Sequence, residues 1–337
     1  MIHIDGAFGE GGGQVLRTAL GLSVATGQPF SIAGIRRHRQ KPGLQRQHLT
    51  AVLAAQQVGD ADVDGAETGS TSLTFRPRGL RAGAFRFAIG TAGSTTLVLQ
   101  AVLPALWSAG SASTVELVGG THNPLAPSFD FLARCFAPVV ARLGAGLELA
   151  LHRHGFHPAG GGVLTATVSP ATWRPLAIER DVRPPRLSAR IVLCGVPRHV
   201  AEREAAVLQQ RLELPAAAIR IDTVESNGPG NVVLVMIEGA EVIEVIVSLG
   251  ERAVTAERVA ERAADQVRRF VRRGVPVGEH LADQLLIPLA LAGGGTFVTT
   301  EPSQHTRTNA MVVQRFLPVQ IGMAADGDAC RVTVQPR

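Results

Sequence analysis

Hydrophobic and polar positions along the chain change period repeatedly, and the order of these changes recurs three times. A first stretch predicts, in order, strand 2–4, loop 9–13, helix 14–25, strand 30–35, helix 44–58 and two strands within 62–75. A second predicts strand 84–89, loop 90–93, helix 94–107, strand 114–118, helix 128–143 and strands near 147–151 and 163–168. A third predicts helix 281–292, strand 296–299, helix 306–316 and closing strands 319–323 and 331–334.

Each stretch is interpreted as one strand–helix–strand–helix–strand–strand unit, so the pattern predicts an α/β (α+β) fold of three repeated βαβαββ units. The loops that precede helices are the natural sites for anions, because helix N-termini present free N–H groups there. The segment between the second and third units has elements of its own, with predicted strands 187–194, 219–224, 232–237 and 241–248 and helices 201–212 and 256–273. We therefore predict a large domain of residues 1–179 and 276–337 and a smaller inserted α/β domain of residues 180–275, with boundaries at Pro- and Gly-containing linkers.

Composition fits a globular protein and only weakly indicates its partner. The 337 residues are 45% hydrophobic and have a formal net charge of +5. That charge suits an anionic partner, but a uniformly basic surface would give the same figure. Lys41 is the only lysine among 33 Lys and Arg residues, which reflects either codon bias or the preference of guanidinium for phosphate.

Three scattered cysteines argue against a zinc site or a disulfide framework and fit a reducing cytoplasm. The first residues lack the basic region and apolar run of a signal peptide. The most apolar stretches, near 97–107 and 285–291, are too short to span a bilayer and contain Pro104 and Pro288. We expect a cytoplasmic protein without membrane association.

Familiar nucleotide-binding signatures are absent from the sequence. Pro42 and Gly43 follow the single lysine, so there is neither a G-x-x-x-x-G-K-[ST] loop nor a K-x-D-G motif. If the protein forms a covalent nucleotide, another nucleophile must serve. Histidine is the natural candidate, because neutral imidazole is nucleophilic near neutral pH.

The glycine run at 9–13 is the first candidate site, since consecutive glycines before a helix expose backbone N–H groups to an anion. Glu10 within it is a candidate ligand for a divalent cation, and Arg17 one turn into the helix strengthens the anion interpretation. A plain turn is about as well supported by the glycines alone. The basic window 36–48 between a strand and a helix could grip nucleic-acid phosphates, with a solvated loop as the alternative.

Histidines provide the remaining candidates. His152, His154 and His157 do not share one strand face and lack a completing carboxylate or cysteine, so we do not favour a metal site there. His305 is placed at the start of a predicted helix, where the helix dipole favours the uncharged, nucleophilic imidazole. Four arginines end the predicted helix 256–273; they suit the helix dipole, and RNA contact is the less favoured alternative.

Seven segments together resemble the RNA 3′-terminal phosphate cyclase family. They are D-G-A-x-G-E-G-G-G-Q-x-L-R (5–17), G-I-R-x-x-R-x-K-P-G-L-x-R-Q-H-L (34–49), G-T-A-G-S-x-T-L-V-L-Q (90–100), H-G-F-x-P-A-G-G-G (154–162), G-V-P-R-H-V-A-E-R-E (195–204), L-A-D-Q (281–284) and H-x-x-T-N (305–309). They span nearly the whole chain in one order, which makes the match highly specific.

The resemblance implies a fold of three repeated units with an inserted domain, and a ligase that forms a phosphoric ester. It implies that His305 attacks the α-phosphorus of ATP, that AMP passes to an RNA 3′-phosphate to give RNA(3′)pp(5′)A, and that the 2′-hydroxyl displaces AMP to leave a 2′,3′-cyclic phosphate. It further implies Glu10 as ligand of Mg²⁺ or Mn²⁺, a nucleotide site, and a phosphate and RNA region. The implied nucleotide contacts are Gln100, His280, Leu281, Ala282, Asp283 and Gln284, and the implied phosphate contacts are Arg17, Arg36, Arg39, Gln47 and His48.

Two positions depart from the family pattern. His280 stands where family members commonly have tyrosine, so base selectivity is altered or weaker, and Thr306-Arg307 follows His305 in place of an apolar pair. Two other functions stay open: a non-catalytic RNA-binding relative in ribosome assembly, and an enolpyruvyl transferase, which a single lysine fits poorly. The expected partners are ATP and RNA with a 3′-phosphate end; the oligomeric state is open, with a homodimer as one alternative.

Overall fold

The computed structural model describes residues 1–9, 11–180 and 183–337. Its first sheet is built from the first predicted unit, whose elements are β1 (Ile2–Asp5), α1 (Gly13–Thr26), β2 (Phe30–Ala33), α2 (Arg46–Val58), β3 (Asp62–Asp64) and β4 (Ser72–Arg76). The strand order is β1-β2-β4-β3, with β1 and β2 parallel and the other pairs antiparallel.

A second sheet repeats this arrangement. Its elements are β5 (Ala84–Ala88), α3 (Thr95–Trp107), β6 (Ser113–Gly119), α4 (Phe129–Phe131), α5 (Ala137–Arg142), β7 (Gly146–Arg153) and β8 (Gly162–Ser169). A π-helical turn, Leu132–Phe136, joins α4 to α5. The order β5-β6-β8-β7 matches that of the first sheet, again with one parallel pair between the first two strands.

A short strand, β9 (Leu176–Ile178), comes next and is followed by a separate sheet. The elements of that sheet and its helices are β10 (Arg186–Cys194), α6 (Arg198–Leu212), β11 (Ile219–Thr223), β12 (Gly230–Glu238), β13 (Ile243–Leu249) and α7 (Ala256–Arg273). The strands are ordered β11-β10-β12-β13. Helices α6 and α7 pack against each other and on this sheet.

The third unit closes the chain with α8 (Glu279–Leu291), β14 (Gly295–Thr299), α9 (Gln304–Phe316), β15 (Val319–Asp326) and β16 (Ala329–Pro336). Its sheet has the order β9-β14-β16-β15, so β9 takes the position that β1 and β5 take in the other two sheets. The sequence pattern did not predict β9. Three residues are too short for a hydrophobic period, and the whole α6–α7 segment separates β9 from its helix α8.

The described residues form two large hydrophobic cores and a small third cluster. The larger lies beneath the three similar sheets, where α1 packs against α3 and α9. Gly21 permits the close approach of α1 to α3, because a Cβ there would lie 2.9 Å from the carbonyl oxygen of Ala101. The smaller core joins β10 and β12 to α6 and α7, with Ile191, Leu208 and Val267 inside it.

A separate core for this segment agrees with an inserted domain at 180–275, although Asp181 and Val182 at its start lie outside the described residues and the domain boundaries stay a prediction. Among the described residues, no helix has both the length and the apolar character needed to cross a membrane.

Candidate functional site

A cleft of about 2110 Å³ separates the β13–α7 side of the inserted segment from the helices of the three-unit part. Helices α1, α3, α8 and α9 each contribute side chains to its wall, and these include Gln14, Arg17, Gln100, His280, Asp283, Gln284 and His305. Residues that are distant in the sequence therefore meet because helices from all three units converge on one cavity.

His305 lies in the first turn of α9, as the sequence predicted. Ser303 caps this helix, since its hydroxyl accepts a hydrogen bond of 3.3 Å from the backbone N–H of Thr306. The side chain of His305 is exposed at the cleft, so a ligand can reach it.

A chain of hydrogen bonds fixes the orientation of this imidazole. His305 Nδ1 lies 2.8 Å from Gln14 Oε1, and Gln14 Nε2 donates to Asp283 Oδ1. Because the carboxylate accepts from the amide N–H₂ group, the amide oxygen of Gln14 must face His305 and accept from Nδ1–H. The imidazole is then the tautomer whose Nε2 is unprotonated, and Nε2 is the nitrogen that can act as a nucleophile.

A second layer of polar contacts holds the first in place. Asn309 Nδ2 donates to the backbone oxygen of Asp283 over 2.9 Å, and Thr18 Oγ1 donates to Asn309 Oδ1 over 2.7 Å. Thr18 and Asn309 are buried, with 4% of each exposed. These bonds tie α1, α8 and α9 together behind the histidine, so its position is set by rigid helices.

Arg17 and Asp283 put opposite charges at the back of the cleft. Burial lowers the pKa of Arg17 to about 10, although the nearby Asp283 carboxylate opposes that shift. Arg17 therefore stays charged near neutral pH. Burial raises the pKa of Asp283, and the hydrogen bonds from Gln14 and Asn309 together with the charge of Arg17 act against this rise.

Three cationic or imidazole side chains close over the glycine loop before α1. A Cβ on Gly13 would lie 2.9 Å from an Arg17 guanidinium nitrogen and closer still to His48 Nε2; a Cβ on Gly12 would lie 3.2 Å from Arg39. An alanine at Gly13 would therefore displace the side chains of His48 and Arg17. The described residues provide no side-chain cap for Gly12, the N-cap of α1, which leaves the helix N-terminus open to an anion.

His48 presents a donor to this loop. Its Nδ1 accepts a bond of 3.3 Å from the backbone N–H of Gln45, so the neutral ring carries its proton on Nε2, which faces Gly13. Burial, together with the positive charges of Arg17 and Arg36, lowers the pKa of His48 to about 3. The imidazole is consequently neutral at ordinary pH and can donate one hydrogen bond.

Arg36 and Gln47 brace neighbouring loops. Arg36, with a left-handed φ of 54°, donates from one guanidinium nitrogen to the carbonyl oxygens of Lys41 at 2.5 Å and Gly43 at 3.0 Å. Gln47 Oε1 accepts from the backbone N–H of Ser94 over 2.6 Å. Of the five predicted phosphate contacts, Arg17, Arg39 and His48 gather at the glycine loop, whereas these two hold loop backbone.

The predicted nucleotide residues divide between the cleft and the core. Gln100 Nε2 donates to Gln284 Oε1, and both line the cleft beside the exposed His280. Leu281 and Ala282 are 0% and 1% exposed and pack in the core, so the structure does not bring their side chains to the cleft wall.

The metal prediction has no support from the described residues. Within residues 1–9, 11–180 and 183–337, no group of three or more His, Cys, Asp or Glu side chains is arranged to hold a metal ion. The predicted ligand Glu10 lies outside the described residues.

Sequence reasoning did not single out Gln14, Thr18 or Asn309 as site residues. Gln14 directly follows the glycine run and Asn309 lies four residues after His305, so both were inside quoted motifs. Asn309 lies one helical turn from the candidate nucleophile His305, and this spacing could have identified it as a site residue.

An α+β protein with an oriented histidine and a charged arginine in one cleft, beside an uncapped helix start, has the form of an enzyme that handles phosphate esters. The RNA 3′-terminal phosphate cyclase family model matches residues 8–323, and the chain belongs to that family. It is 51% identical over 321 residues to the RNA 3′-terminal phosphate cyclase of Ectopseudomonas mendocina (strain ymp), covering 95% of this chain and 94% of that protein.

Proposed function

We propose that the protein converts an RNA 3′-terminal phosphate to a 2′,3′-cyclic phosphate at the expense of ATP, with His305 as a transient carrier of AMP. The observation that supports this most directly is the Asp283–Gln14–His305 hydrogen-bond chain, which leaves Nε2 of the exposed imidazole unprotonated. Membership of the cyclase family supports the overall reaction.

In the first step, His305 Nε2 attacks the α-phosphorus of ATP, the P–N bond forms and pyrophosphate leaves. An oxygen of the RNA 3′-phosphate then attacks the same phosphorus, the P–N bond breaks, and RNA(3′)pp(5′)A forms. Finally the vicinal 2′-hydroxyl loses its proton and attacks the 3′-phosphorus, and AMP leaves. The last step needs little additional ordering, because the hydroxyl and the phosphate are held on one ribose.

Gln14 and Asp283 hold the imidazole ring of His305 in its orientation throughout the three steps. Attack by Nε2 places positive charge on the imidazole, and the Nδ1–H···Oε1 bond of 2.8 Å then becomes charge-assisted. Asp283 stabilises that charge through the Gln14 amide. The carboxylate thus acts through a neutral intermediary.

The glycine loop is suited to the phosphates. The start of α1 has no side-chain cap from the described residues, the charged Arg17 and the Nε2–H of His48 lie beside Gly13, and Arg39 lies beside Gly12. These groups would stabilise the negative charge that develops during transfer. A divalent metal held by Glu10 stays a prediction.

His280, Gln100 and Gln284 form a candidate surface for the nucleotide base. His280 is exposed on the cleft wall, and the Gln100–Gln284 pair offers amide groups beside it. An imidazole can stack on a purine, with less area than a phenol ring. We also propose that residues 180–275 form an inserted domain and that the protein is cytoplasmic.

The test is mass spectrometry after incubation with ATP and a divalent cation. We expect one added AMP on a peptide containing His305, and loss of both this adduct and cyclisation in His305→Ala. His152→Ala is a matched control, since His152 is an exposed histidine bonded to Thr165 on β8 and not part of the cleft wall. An adduct on another residue, or cyclisation retained by His305→Ala, would reject the mechanism; no adduct in the wild type would favour the RNA-binding scaffold.

A further inference from the structure

Helix α7 has two polar edges that differ in their partners. One edge faces α6 and is neutralised by ion pairs, in which Glu257 contacts Arg203 at 2.6 Å and Asp265 contacts Arg211 at 2.7 Å. A buried stripe that includes Val259, Ala263 and Val267 faces the sheet and separates the two polar edges. Packing and ion pairing thus account for two sides of the helix.

The other edge faces the cleft. Arg262, Gln266, Arg269 and Arg273 follow one another at intervals of three and four residues, so they form one stripe along the helix, and all four line the cleft. Arg252 and Arg272 extend this lining. The five of these residues that lie on α7, namely Arg262, Gln266, Arg269, Arg272 and Arg273, are called the cleft edge of α7 below.

Most of the positive charge on the cleft edge is not neutralised. Arg262 pairs with Glu251 at 2.5 Å. Within the described parts of the chain, Arg252, Arg269, Arg272 and Arg273 form no ion pair with a carboxylate. Asp328, whose carboxylate Arg273 influences from a distance, is itself paired with Arg180 at 3.0 Å.

The helix dipole explains arginines in the last turn but not the placement of Arg269, Arg272 and Arg273 along the cleft. Arg268 is a useful comparison, because it is also exposed and one residue from Arg269, yet it does not line the cleft. The end of α7 leads through residues 274–278 into α8, whose His280 and Asp283 belong to the candidate site. Unneutralised guanidinium groups therefore border the same cavity as His305.

We propose that the cleft edge of α7 binds the phosphodiester backbone of the RNA strand upstream of its reacting 3′ end. This inference rests on the proposed function, since it requires that an RNA end enters the cleft. Only the terminal phosphate and ribose react, and the remaining strand, with one negative charge per nucleotide, must leave the cavity along a wall. Guanidinium groups bind phosphates without regard to base sequence, so the cleft edge of α7 binds RNA of any sequence.

The experiment compares the variant Arg269→Ala/Arg273→Ala with Arg268→Ala, each made in the full-length protein. Alanine preserves helix propensity, and all three side chains are exposed, so the fold is retained; thermal melting checks this. Binding of a fluorescent 20-nucleotide RNA with a 3′-phosphate is measured by anisotropy over a range of salt concentrations. A 3′-phosphorylated dinucleotide serves as the short substrate in cyclisation assays.

We expect the double variant to weaken binding of the long RNA about tenfold at low salt. The logarithm of the association constant should also fall less steeply with the logarithm of the salt concentration. The slope should be smaller in magnitude by about 1.4, which is roughly 0.7 for each of the two lost phosphate contacts. The KM for the long RNA should rise more than that for the dinucleotide. Arg268→Ala should match the wild type in both assays.

Equal weakening by Arg268→Ala, or unchanged binding by the double variant, would overturn the inference. Equal loss on the long and short substrates would also overturn it, because it would place these arginines at the reacting end. Failure of the wild type to form the AMP adduct would reject the proposed mechanism, while the salt-dependent RNA binding would still test the cleft edge separately.

Discussion

Two β–α connections occupy equivalent places in the molecule and do different things. Residues 6–12 join β1 to α1 in the first sheet, and residues 89–94 join β5 to α3 in the second, whose strand order is the same. Both loops contain glycines and both end at a helix N-terminus. From the topology alone, the two loops would be expected to have the same role.

The difference lies in what satisfies the first N–H groups of each helix. Ser94 caps α3 by accepting from the N–H of Leu97 at 3.2 Å, and its own N–H donates to Gln47. Gly12 at the start of α1 has no side-chain cap from the described residues, and Arg17 and His48 lie over the loop. The helix N-terminus of the second connection is thus capped by the protein itself, whereas that of the first is open to an anion.

The third equivalent helix start, that of α8, has a carboxyl group beside it. Glu244 on β13 accepts a bond of 2.9 Å from the N–H of Gly278, the N-cap of α8. Burial raises the pKa of Glu244 to about 7, against the effect of the N–H groups of Gly278 and Val245. A carboxyl group of the inserted segment therefore lies against the N-cap residue of α8, where it competes with any anionic ligand.

The largest expected effect comes from filling the open connection. In Gly13→Ala the new Cβ would collide with His48 and Arg17, so we expect AMP labelling to fall on the order of 100-fold with a small change in Tm. Gly93→Ala is the matched change in the second connection. Its Cβ would lie 2.8 Å from Ile89 and 3.1 Å from Gln47, so it should lower Tm by several degrees and affect labelling less. The opposite result would remove the distinction between the two loops.

A smaller effect is expected in the pH dependence of stability. His48 is neutral when folded, because its pKa is lowered to about 3, whereas its unfolded pKa is near 6.5. The unfolded state therefore binds a proton that the folded state does not, so stability is complete above pH 6.5 and declines as the pH falls towards 3. One unit below pH 6.5, at pH 5.5, this costs about 1.4 kcal/mol.

His48→Gln keeps a hydrogen-bonding side chain and removes this titration. Denaturant unfolding at pH 7.5 and 5.5 should show a smaller loss of stability for the variant than for the wild type. His154, whose burial lowers its pKa to about 4, contributes equally to both proteins and cancels in the comparison. An identical pH dependence in the two proteins would contradict the assignment of a neutral, buried His48.

The smallest expected effect comes from opening the closed connection. Ser94→Ala removes the cap of α3 and should cost about 1 kcal/mol of unfolding free energy. AMP labelling at 25 °C should be unchanged, since the hydroxyl of Ser94 faces Thr96 and the helix backbone. Loss of labelling without loss of stability would mean that the second connection also takes part in the chemistry.

Local patterns predicted much of this architecture. The helix starts at His305 and after the glycine run were predicted because capping residues and glycines act within a few positions of their helix. The strand β9 was not predicted, because its partner β14 is more than a hundred residues away and its own three residues have no period. Gln47 was expected near phosphate, but its amide satisfies a backbone N–H in the second unit, a contact that no local pattern records.

The sequence by itself determined the type and order of most elements and the identity of the nucleophile candidate, because these depend on the chemistry of neighbouring residues. Only the tertiary structure decided that Gln14 of α1 stands between His305 of α9 and Asp283 of α8, and that one edge of α7 faces the same cleft. Helices from different units converge through packing of their buried faces, and hydrogen bonds between polar side chains depend on that convergence to within a few tenths of an ångström. Distances of this kind are a property of the whole fold.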